Sequence, residues 1–340
     1  MLELRRTTVT AADGAWLETE LGPAWSDPAL HPPAHPGDEV VVNVQARELG
    51  LGSGGYDVVV VNLTRGLDAS DGSGAHVMKL NYTPLQHAVA PVDGTPPIED
   101  ARRAGRRAPG AAASAPPATR CGPVAVLGLH GQLAPLAWAF AHAAPGARLA
   151  YVQTAGGALP GGLSRTVARL REAGLLALHV TAGPAYGGEL EAISTAGGLA
   201  AALERCDAVA CGPGPGILGS GTALGHGGLV ALDSAHAALA LGLPTLLVAR
   251  MSSADPRERH RGLSHHTQTV LDLLLRPVIV ALPEGEPAPD DCHEWRTASG
   301  ALDGYPWPRR SMGRDDPLFF AAAAAAGRVL AARLATLDPK

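Results

Sequence analysis

Hydrophobic and polar residues alternate along the first ninety residues in the manner of strands that bury one face. In residues 39–46, Val40, Val42 and Val44 point one way and the residues between them point the other. Asp13-Gly14 separates two alternating segments and predicts a hairpin over residues 8–20, and further strands are predicted over residues 56–63 and 76–82. Short strands joined by glycine-rich turns predict a small all-β domain, a barrel or a sandwich, over residues 1–90.

The pattern changes at Cys121, where apolar runs of strand length begin to alternate with helical patterns. The runs cover residues 124–129, 147–153, 176–181, 208–211, 245–249 and 277–282. Strands that are apolar throughout are typical of a sheet covered on both faces. The alternation predicts a doubly wound, mainly parallel, Rossmann-like α/β domain over residues 121–340, closed by a helix from Pro317 to about Leu337. Residues 91–120, rich in Pro, Ala and Arg, predict a linker that tolerates deletion.

Length, charge and cysteine usage exclude some functions. A chain of 340 residues suits two domains, and a net charge of −5 gives no reason to expect a nucleic-acid partner. No apolar run is expected to span a membrane, and no signal peptide is visible. The four cysteines are widely spaced and form no CxxC pair, as in proteins with reduced thiols. We therefore expect a cytoplasmic protein without a membrane partner; a homo-oligomer is left open.

The first candidate site is the glycine-rich segment 211–228, which follows one predicted strand and precedes a predicted helix. In doubly wound sheets, ligands bind beyond the C-terminal ends of the strands. Glycines let backbone amides approach an anion, and a helix N-terminus favours negative charge. The expected ligand-binding residues of this loop are Gly212, Gly214, Gly216, Gly219, Ser220, Gly221 and Thr222. The alternative is a tight turn that uses glycine for shape alone.

The second candidate site is segment 252–267, which follows the predicted strand 245–249 and so belongs to the same edge. Arg257, Arg259 and Arg261 can grip a carboxylate or a phosphate, although pairing with neighbouring carboxylates in a solvated loop is the alternative. We predict that the two segments lie side by side.

Ser264 is a predicted helix N-cap, which places His265 and His266 in the first helical turn. The helix dipole disfavours imidazolium there, so neutral rings are expected. We predict that His265 and His266, with His226 and Asp255, carry out proton transfer.

A metal is considered for the same segment. His260, His265, His266 and Asp255 offer suitable ligand atoms. Consecutive helical residues, however, project about 100° apart, so His265 and His266 are not expected to reach one ion. Three arginines would also repel a cation. An anion is therefore expected, no metal ligand is assigned, and the cofactor is unknown.

His130, at the end of the predicted strand 124–129, is a secondary ligand-binding candidate, with helix capping as an equal alternative.

The segments GPGPGILGSGTALGHGG and SSADPRERHRGLSHHT, with HVMKLNYTPLQ in the first domain, resemble a bacterial family known only as domain of unknown function 3866 (DUF3866). The resemblance covers nearly the whole chain outside the Arg- and Pro-rich linker. It implies no activity, substrate or catalytic residue.

The chemistry of the two segments predicts an enzyme, of hydrolase or transferase type, acting on a phosphorylated or carboxylate metabolite. A dehydrogenase is less suitable because no dinucleotide fingerprint is present. The alternative is a non-catalytic ligand-binding or regulatory protein. An enzyme needs the histidines and the glycine loop to face one pocket.

Overall fold

The computed structural model describes residues 2–51, 54–67, 75–92, 121–289 and 292–337. The chain divides into two compact units, Met1–Val89 and Ala90–Lys340. Most of the expected linker, residues 93–120, lies outside the described residues. Pro91 and Val92 do not behave as a linker: the Val92 amide donates to the Glu191 carbonyl at 2.7 Å. These two residues thus belong to the α/β unit, and the linker over residues 93–120 stays a prediction.

The first unit contains a closed five-stranded barrel, which confirms the barrel alternative over the sandwich. Strand order around the barrel is β1-β2-β3-β5-β4, with β3 and β5 parallel and the other pairs antiparallel. The barrel strands are β1 (Leu4–Asp13), β2 (Trp16–Thr19), β3 (Gly22–Trp25), β4 (Glu39–Asn43) and β5 (Asp57–Asn62). The short helix α1 (Gln45–Glu48) precedes β5, and β6 (Val77–Lys79) and β7 (His87–Val89) form a separate antiparallel pair.

The barrel core is built from the alternation seen in the sequence. Val40, Val42 and Val44 are fully buried and pack with Val9 and Leu17. The predicted hairpin forms at Asp13-Gly14, where Gly14 adopts φ +58°, a conformation that favours glycine.

The second unit is a doubly wound α/β domain around an eight-stranded parallel sheet. Strand order is β11-β10-β9-β12-β8-β13-β16-β17. Its strands are β8 (Val124–Leu127), β9 (Leu149–Thr154), β10 (Leu178–Ala182), β11 (Leu190–Ala192), β12 (Ala208–Pro213), β13 (Thr245–Val248), β16 (Ile279–Pro283) and β17 (Glu294–Ala298). Two small antiparallel pairs are β14 (Met251–Ser252) with β15 (Gly262–Leu263), and β18 (Arg310–Ser311) with β19 (Arg314–Asp315).

Helices cover both faces of this sheet, as the uniformly apolar strands predict. One face packs against α2 (Leu133–Ala143), α3 (Arg165–Glu172) and α7 (Pro317–Leu337). The other packs against α4 (Thr195–Leu203), α5 (Val230–Ala240) and α6 (His265–Leu273).

Helix α7 has the predicted bounds and contradicts one expectation. With 21 residues and a mean hydropathy of 1.6, it is long and apolar enough to cross a membrane. It buries Phe319, Phe320 and Leu330 within the domain, which is the arrangement of a core helix.

The strand order places a crevice at the C-terminal end of β8. The chain leaves β8 toward β9 on one side, and β13 lies on the other side and continues outward to β16. The loops that follow β8 and β13 run in opposite directions and leave a gap between them. Doubly wound domains bind ligands in such a gap.

Candidate functional site

Four histidines meet at this edge of the sheet, and we call them the histidine cluster: His226, His260, His265 and His266. His226 precedes the helical turn that leads into α5, and His260 ends a turn after β14. The other two open α6, whose N-cap Ser264 accepts a hydrogen bond from the His266 amide, as predicted. The glycine-rich and Arg/His segments therefore lie side by side.

The four rings are in close contact. The rings of His226 and His266 stack with centroids 3.7 Å apart and an interplanar angle of 6°. Centroid distances are 4.4 Å for His265–His266, 4.7 Å for His260–His265 and 4.9 Å for His260–His266. One ring nitrogen from each of His260, His265 and His266 lies within 4.8 Å of the corresponding nitrogens of the other two. The expectation that His265 and His266 diverge too far to share an ion was therefore wrong.

A small cavity adjoins the cluster at the β8–β13 crevice. Its volume is ≈ 10 Å³, and Gly128, Gly228, Arg250 and His266 contribute to its wall. This is about the space of one water molecule, so a larger ligand has to move the surrounding loops.

Arg250, just beyond β13, is a candidate site residue that the sequence reasoning missed. Its guanidinium is almost fully buried, and its Nη1 donates to His266 Nδ1 at 2.8 Å. Nε and Nη2 are buried without a hydrogen-bond partner in the described part of the chain. An arginine directly after an apolar strand at the ligand-binding edge was the available signal. Burial lowers the pKa of Arg250 to about 10, so the group remains a cation at neutral pH.

Asp255 is a buried carboxylate held by arginines. Arg257 binds it through two hydrogen bonds of 2.9 and 2.8 Å, and Arg314 lies 3.3 Å and Arg250 3.5 Å away. Hydrogen bonds from Arg257 hold the pKa of Asp255 well below its usual range. This placement favours a structural role over the predicted proton transfer.

The three arginines predicted to bind an anion differ in their surroundings. Arg257 is occupied by Asp255, and the Nε of Arg261 donates to the Asp255 carbonyl at 3.2 Å. Arg259 is exposed, and its charge contributes to lowering the pKa of His265. The alternative of pairing with a neighbouring carboxylate thus describes Arg257, whereas Arg261 bonds a backbone carbonyl of the same loop.

The histidines are neutral at pH 7, although the main cause is burial and not the helix dipole. Desolvation, assisted by neighbouring positive charge, lowers the pKa of His260 to about 4 and that of His266 to about 2. The pKa values of His226 and His265 are lowered for the same first reason.

The glycine-rich loop forms a narrow hairpin whose base is buried and whose tip is exposed. Gly219 pairs with His226, and the hydroxyls of Ser220 and Thr222 lie 2.9 Å from each other at the exposed tip, next to Gly221.

Several glycines of this loop are required by neighbouring backbone. A Cβ at Gly214 would collide with the Ala158 carbonyl, and one at Gly212 with Leu127. Gly216, by contrast, has open space and φ +75°. Gly212 and Gly214 therefore fit the alternative prediction, in which glycine is needed only for the shape of the turn.

His130 belongs to a separate buried group, the Tyr151 cluster: His130, Tyr151, Gln153, Ser164 and His179. His130 Nε2 lies 2.7 Å from the Ser164 hydroxyl, and Nδ1 lies 3.2 Å from the Tyr151 hydroxyl. The structure does not bring His130 into hydrogen-bonding contact with the histidine cluster, and its ring nitrogens contact the Ser164 and Tyr151 hydroxyls and the Pro213 carbonyl instead of capping a helix.

Fold and site together define a class: an α/β protein with a preceding β-barrel and a histidine–arginine site at the edge of a parallel sheet. The family model described as "Protein of unknown function (DUF3866)" matches residues 24–327, most of both units, and the chain belongs to this family. Neither the search of curated proteins nor the search of solved structures finds a match.

Proposed function

We propose that this protein is an enzyme, of hydrolase or transferase type, that binds a small phosphorylated or carboxylate metabolite between Arg250 and the histidine cluster. The observation that carries the proposal is the buried guanidinium of Arg250, whose Nε and Nη2 make no hydrogen bond among the described residues, Nη2 lying 3.5 Å from Asp255 Oδ2. Buried donors are nearly always satisfied, and charge-assisted hydrogen bonds to an anion would satisfy these two.

The local charges support an anion. Arg250, Arg257 and Arg314 surround the single carboxylate of Asp255. The nearby carboxylate of Asp316 accepts hydrogen bonds from Ser252 and Ser253 and attracts Arg250 as a second negative charge. Three arginines thus face two carboxylates, and a phosphate or carboxylate would neutralise the positive charge that remains.

The histidines supply what proton transfer needs. A neutral imidazole can accept a proton from a nucleophile or, at its N–H, donate a hydrogen bond. His265 is partly exposed and its Nε2 has no partner within the described chain, so it is the best placed general base. His266 accepts from Arg250 at Nδ1, which assigns the proton of its neutral ring to Nε2.

A reducing compartment suits this proposal. Cys206 and Cys211 are buried and form no disulfide, and burial raises the pKa of Cys211 to about 12, which keeps its thiol protonated. We place the protein in the cytoplasm on this ground, with no nucleic-acid or membrane partner.

The test is ligand-induced stabilisation with inorganic phosphate and acetate as probes, at constant ionic strength. A ligand present at ten times its Kd stabilises the native state by about 1.4 kcal/mol. For a domain of this size, that is a rise in Tm of about 3–6 °C. Arg250→Met should lose the response, while Arg205→Met, an exposed arginine paired with Glu204, should keep it.

Turnover separates the enzyme from the non-catalytic alternative. Hydrolysis of p-nitrophenyl phosphate or p-nitrophenyl acetate that is lost in His265→Gln supports an enzyme. Stabilisation without turnover of either supports a binding or regulatory protein. If neither probe stabilises the wild-type chain beyond the chloride control, the anion site is wrong.

A further inference from the structure

We infer that His260, His265 and His266 together bind one divalent transition-metal ion, with zinc as the reference ion. The position of the three side chains carries this inference. Its catalytic significance rests on the proposed function, because the ion would lie beside the anion bound to Arg250.

Ring positions match those of a three-histidine metal site. Zinc binds imidazole nitrogen at about 2.0–2.1 Å with tetrahedral angles, which places pairs of ring centroids roughly 5 Å apart. The three observed centroid distances run from 4.4 to 4.9 Å. Their nitrogens already lie within 4.8 Å of one another, so small rotations would bring them around one ion.

The local backbone explains how neighbouring residues of one helix converge. His265 is the first residue of α6 and follows Ser264, whose backbone is extended (φ −66°, ψ 141°). Rotation about the side-chain bonds then brings both rings toward His260, which approaches from the preceding turn. The angle of about 100° between consecutive Cβ directions constrains only the first bond of each side chain.

An unsatisfied nitrogen points independently to a ligand. His265 Nε2 is buried and has no hydrogen-bond partner in the described part of the chain, so it has a lone pair or a proton without a neighbour. Such a group calls for water or an ion.

Ser264 provides an outer contact of the kind that orients metal-binding histidines. Its hydroxyl lies 2.7 Å from His260 Nδ1, which fixes that ring and leaves Nε2 for an ion. Ser264 also caps α6. Its side chain therefore helps to position His260, which comes from the loop, and His265 and His266, which come from the helix.

Repulsion by the arginines is weaker than their number suggests. Arg257 and Arg314 form ion pairs with Asp255, and Arg259 is exposed to solvent, which screens its charge. Arg250 contacts the cluster, at His266 Nδ1. That contact places the His266 proton on Nε2. A metal at Nε2 moves this proton to Nδ1, which then no longer accepts from Arg250. Metal loading therefore frees the Arg250 guanidinium for an anion.

This coupling specifies the chemistry of the proposed enzyme. With the ion bound, His265 is a ligand and no longer the general base, and a water on the ion, whose pKa the ion would lower, would supply the nucleophile. The ion would also act as a Lewis acid on an oxygen of the phosphate or carboxylate group. Arg250 would neutralise the anion beside it.

The experiment is a calorimetric titration of the untagged, chelator-treated full chain with Zn²⁺, and with Co²⁺ for its visible spectrum. We expect one ion per chain and Co²⁺ bands typical of nitrogen coordination. His265→Gln should weaken Zn²⁺ binding by more than about 100-fold, because outer-contact changes alone cost 10–100-fold. His142→Gln, an exposed histidine of α2, should bind as wild type. His265 is not fully buried, so its variant should fold, which circular dichroism checks.

The inference is overturned if wild type binds Zn²⁺ no more tightly than His265→Gln, or if His142→Gln loses as much affinity. Phosphate binding is measured in parallel, with chelator and with Zn²⁺. Phosphate stabilisation in chelator without a zinc site refutes the metal and leaves the proposed function intact. A zinc site without phosphate or acetate binding in either state supports the metal and refutes the proposed function.

Discussion

The α/β domain buries two groups of histidines, and they differ in how their ring nitrogens are satisfied. In the Tyr151 cluster, His130 contacts Ser164 and Tyr151, and His179 Nε2 lies 3.2 Å from Gln153 Oε1. In the histidine cluster, His265 Nε2 is buried without a partner among the described residues, and His226 lacks one for both ring nitrogens.

Burial lowers the histidine pKa values in both groups, so a pKa alone does not separate them. The hydrogen bonds of the ring nitrogens separate the two groups. A buried imidazole with partners is part of the fold, whereas one without partners lowers stability unless a ligand compensates. The comparison teaches that ring nitrogens without a partner, here on His226 and His265, separate this cluster from the Tyr151 cluster, while His260 and His266 each keep one bonded nitrogen.

The largest expected effect tests whether ion pairs, and not the rings, hold the histidine cluster in place. Asp255→Ala should lower the free energy of unfolding by about 3–5 kcal/mol, because it leaves the buried Arg250 without its counter-charge. Urea denaturation measures this. Glu258→Ala, an exposed carboxylate three residues away, should change little. A loss below about 1 kcal/mol for Asp255→Ala would show that the cluster does not depend on this carboxylate.

The pH dependence of stability examines the Tyr151 cluster. The pKa of His130 and of His179 falls from 6.5 to about 4 on folding, mainly through burial. Between these values the unfolded chain binds more protons, so stability decreases as pH falls from 6.5 to about 4 and is unaffected by these groups above 6.5. Each histidine accounts for on the order of 3 kcal/mol.

The measurement is urea unfolding at several pH values across that window. His179→Gln should show a shallower dependence than wild type, and His142→Gln the same dependence. Equal slopes for wild type and His179→Gln would contradict the assignment.

A pair of matched substitutions compares the two groups directly. His130→Gln should cost about 1–3 kcal/mol, because Ser164 and Tyr151 lose a buried partner. His265→Gln, measured in chelator, should cost less than about 0.5 kcal/mol or stabilise the chain, since no bond is lost. Equal losses in chemical denaturation would remove the distinction between the clusters.

The smallest effect concerns the tip of the glycine-rich loop. Ser220→Ala with Thr222→Ala should change stability by no more than about 0.5 kcal/mol, because both residues are exposed and bond each other. Phosphate affinity should stay within about twofold of wild type if Arg250 carries the binding. A large loss of affinity would move the anion site to the hairpin tip and support the role predicted from sequence.

What the sequence predicts well in this chain depends on short-range periodicity. The buried valines of β4, the Ser264 cap and the bounds of α7 follow from spacing within a few residues. Edge strand β17 was missed because its residues are mostly exposed and give no apolar run. The positions of the two site segments at one sheet edge also followed, because both come directly after parallel strands.

The chemistry of the site depends on long-range contacts that a linear pattern does not contain. Arg250 lies outside the conspicuous run of arginines, yet it is the one that meets His266. Arg257 looked like an anion ligand and is taken up by Asp255. His130 could not be separated from the other histidines, because its partners come from 21 and 34 residues away.

The glycines beneath the site have a further consequence for how this family can diverge. A Cβ at Gly157 would collide with the Gly214 carbonyl, and one at Gly227 with the Gly156 carbonyl. The loops after β9 and β12 therefore touch backbone to backbone, and neither can accept a larger residue at these points without displacing the other. Residues 218–224, at the exposed tip, have no such restriction. We expect members of the family to differ there, in hairpin length and sequence, while the glycine contacts at the base of the loop stay the same.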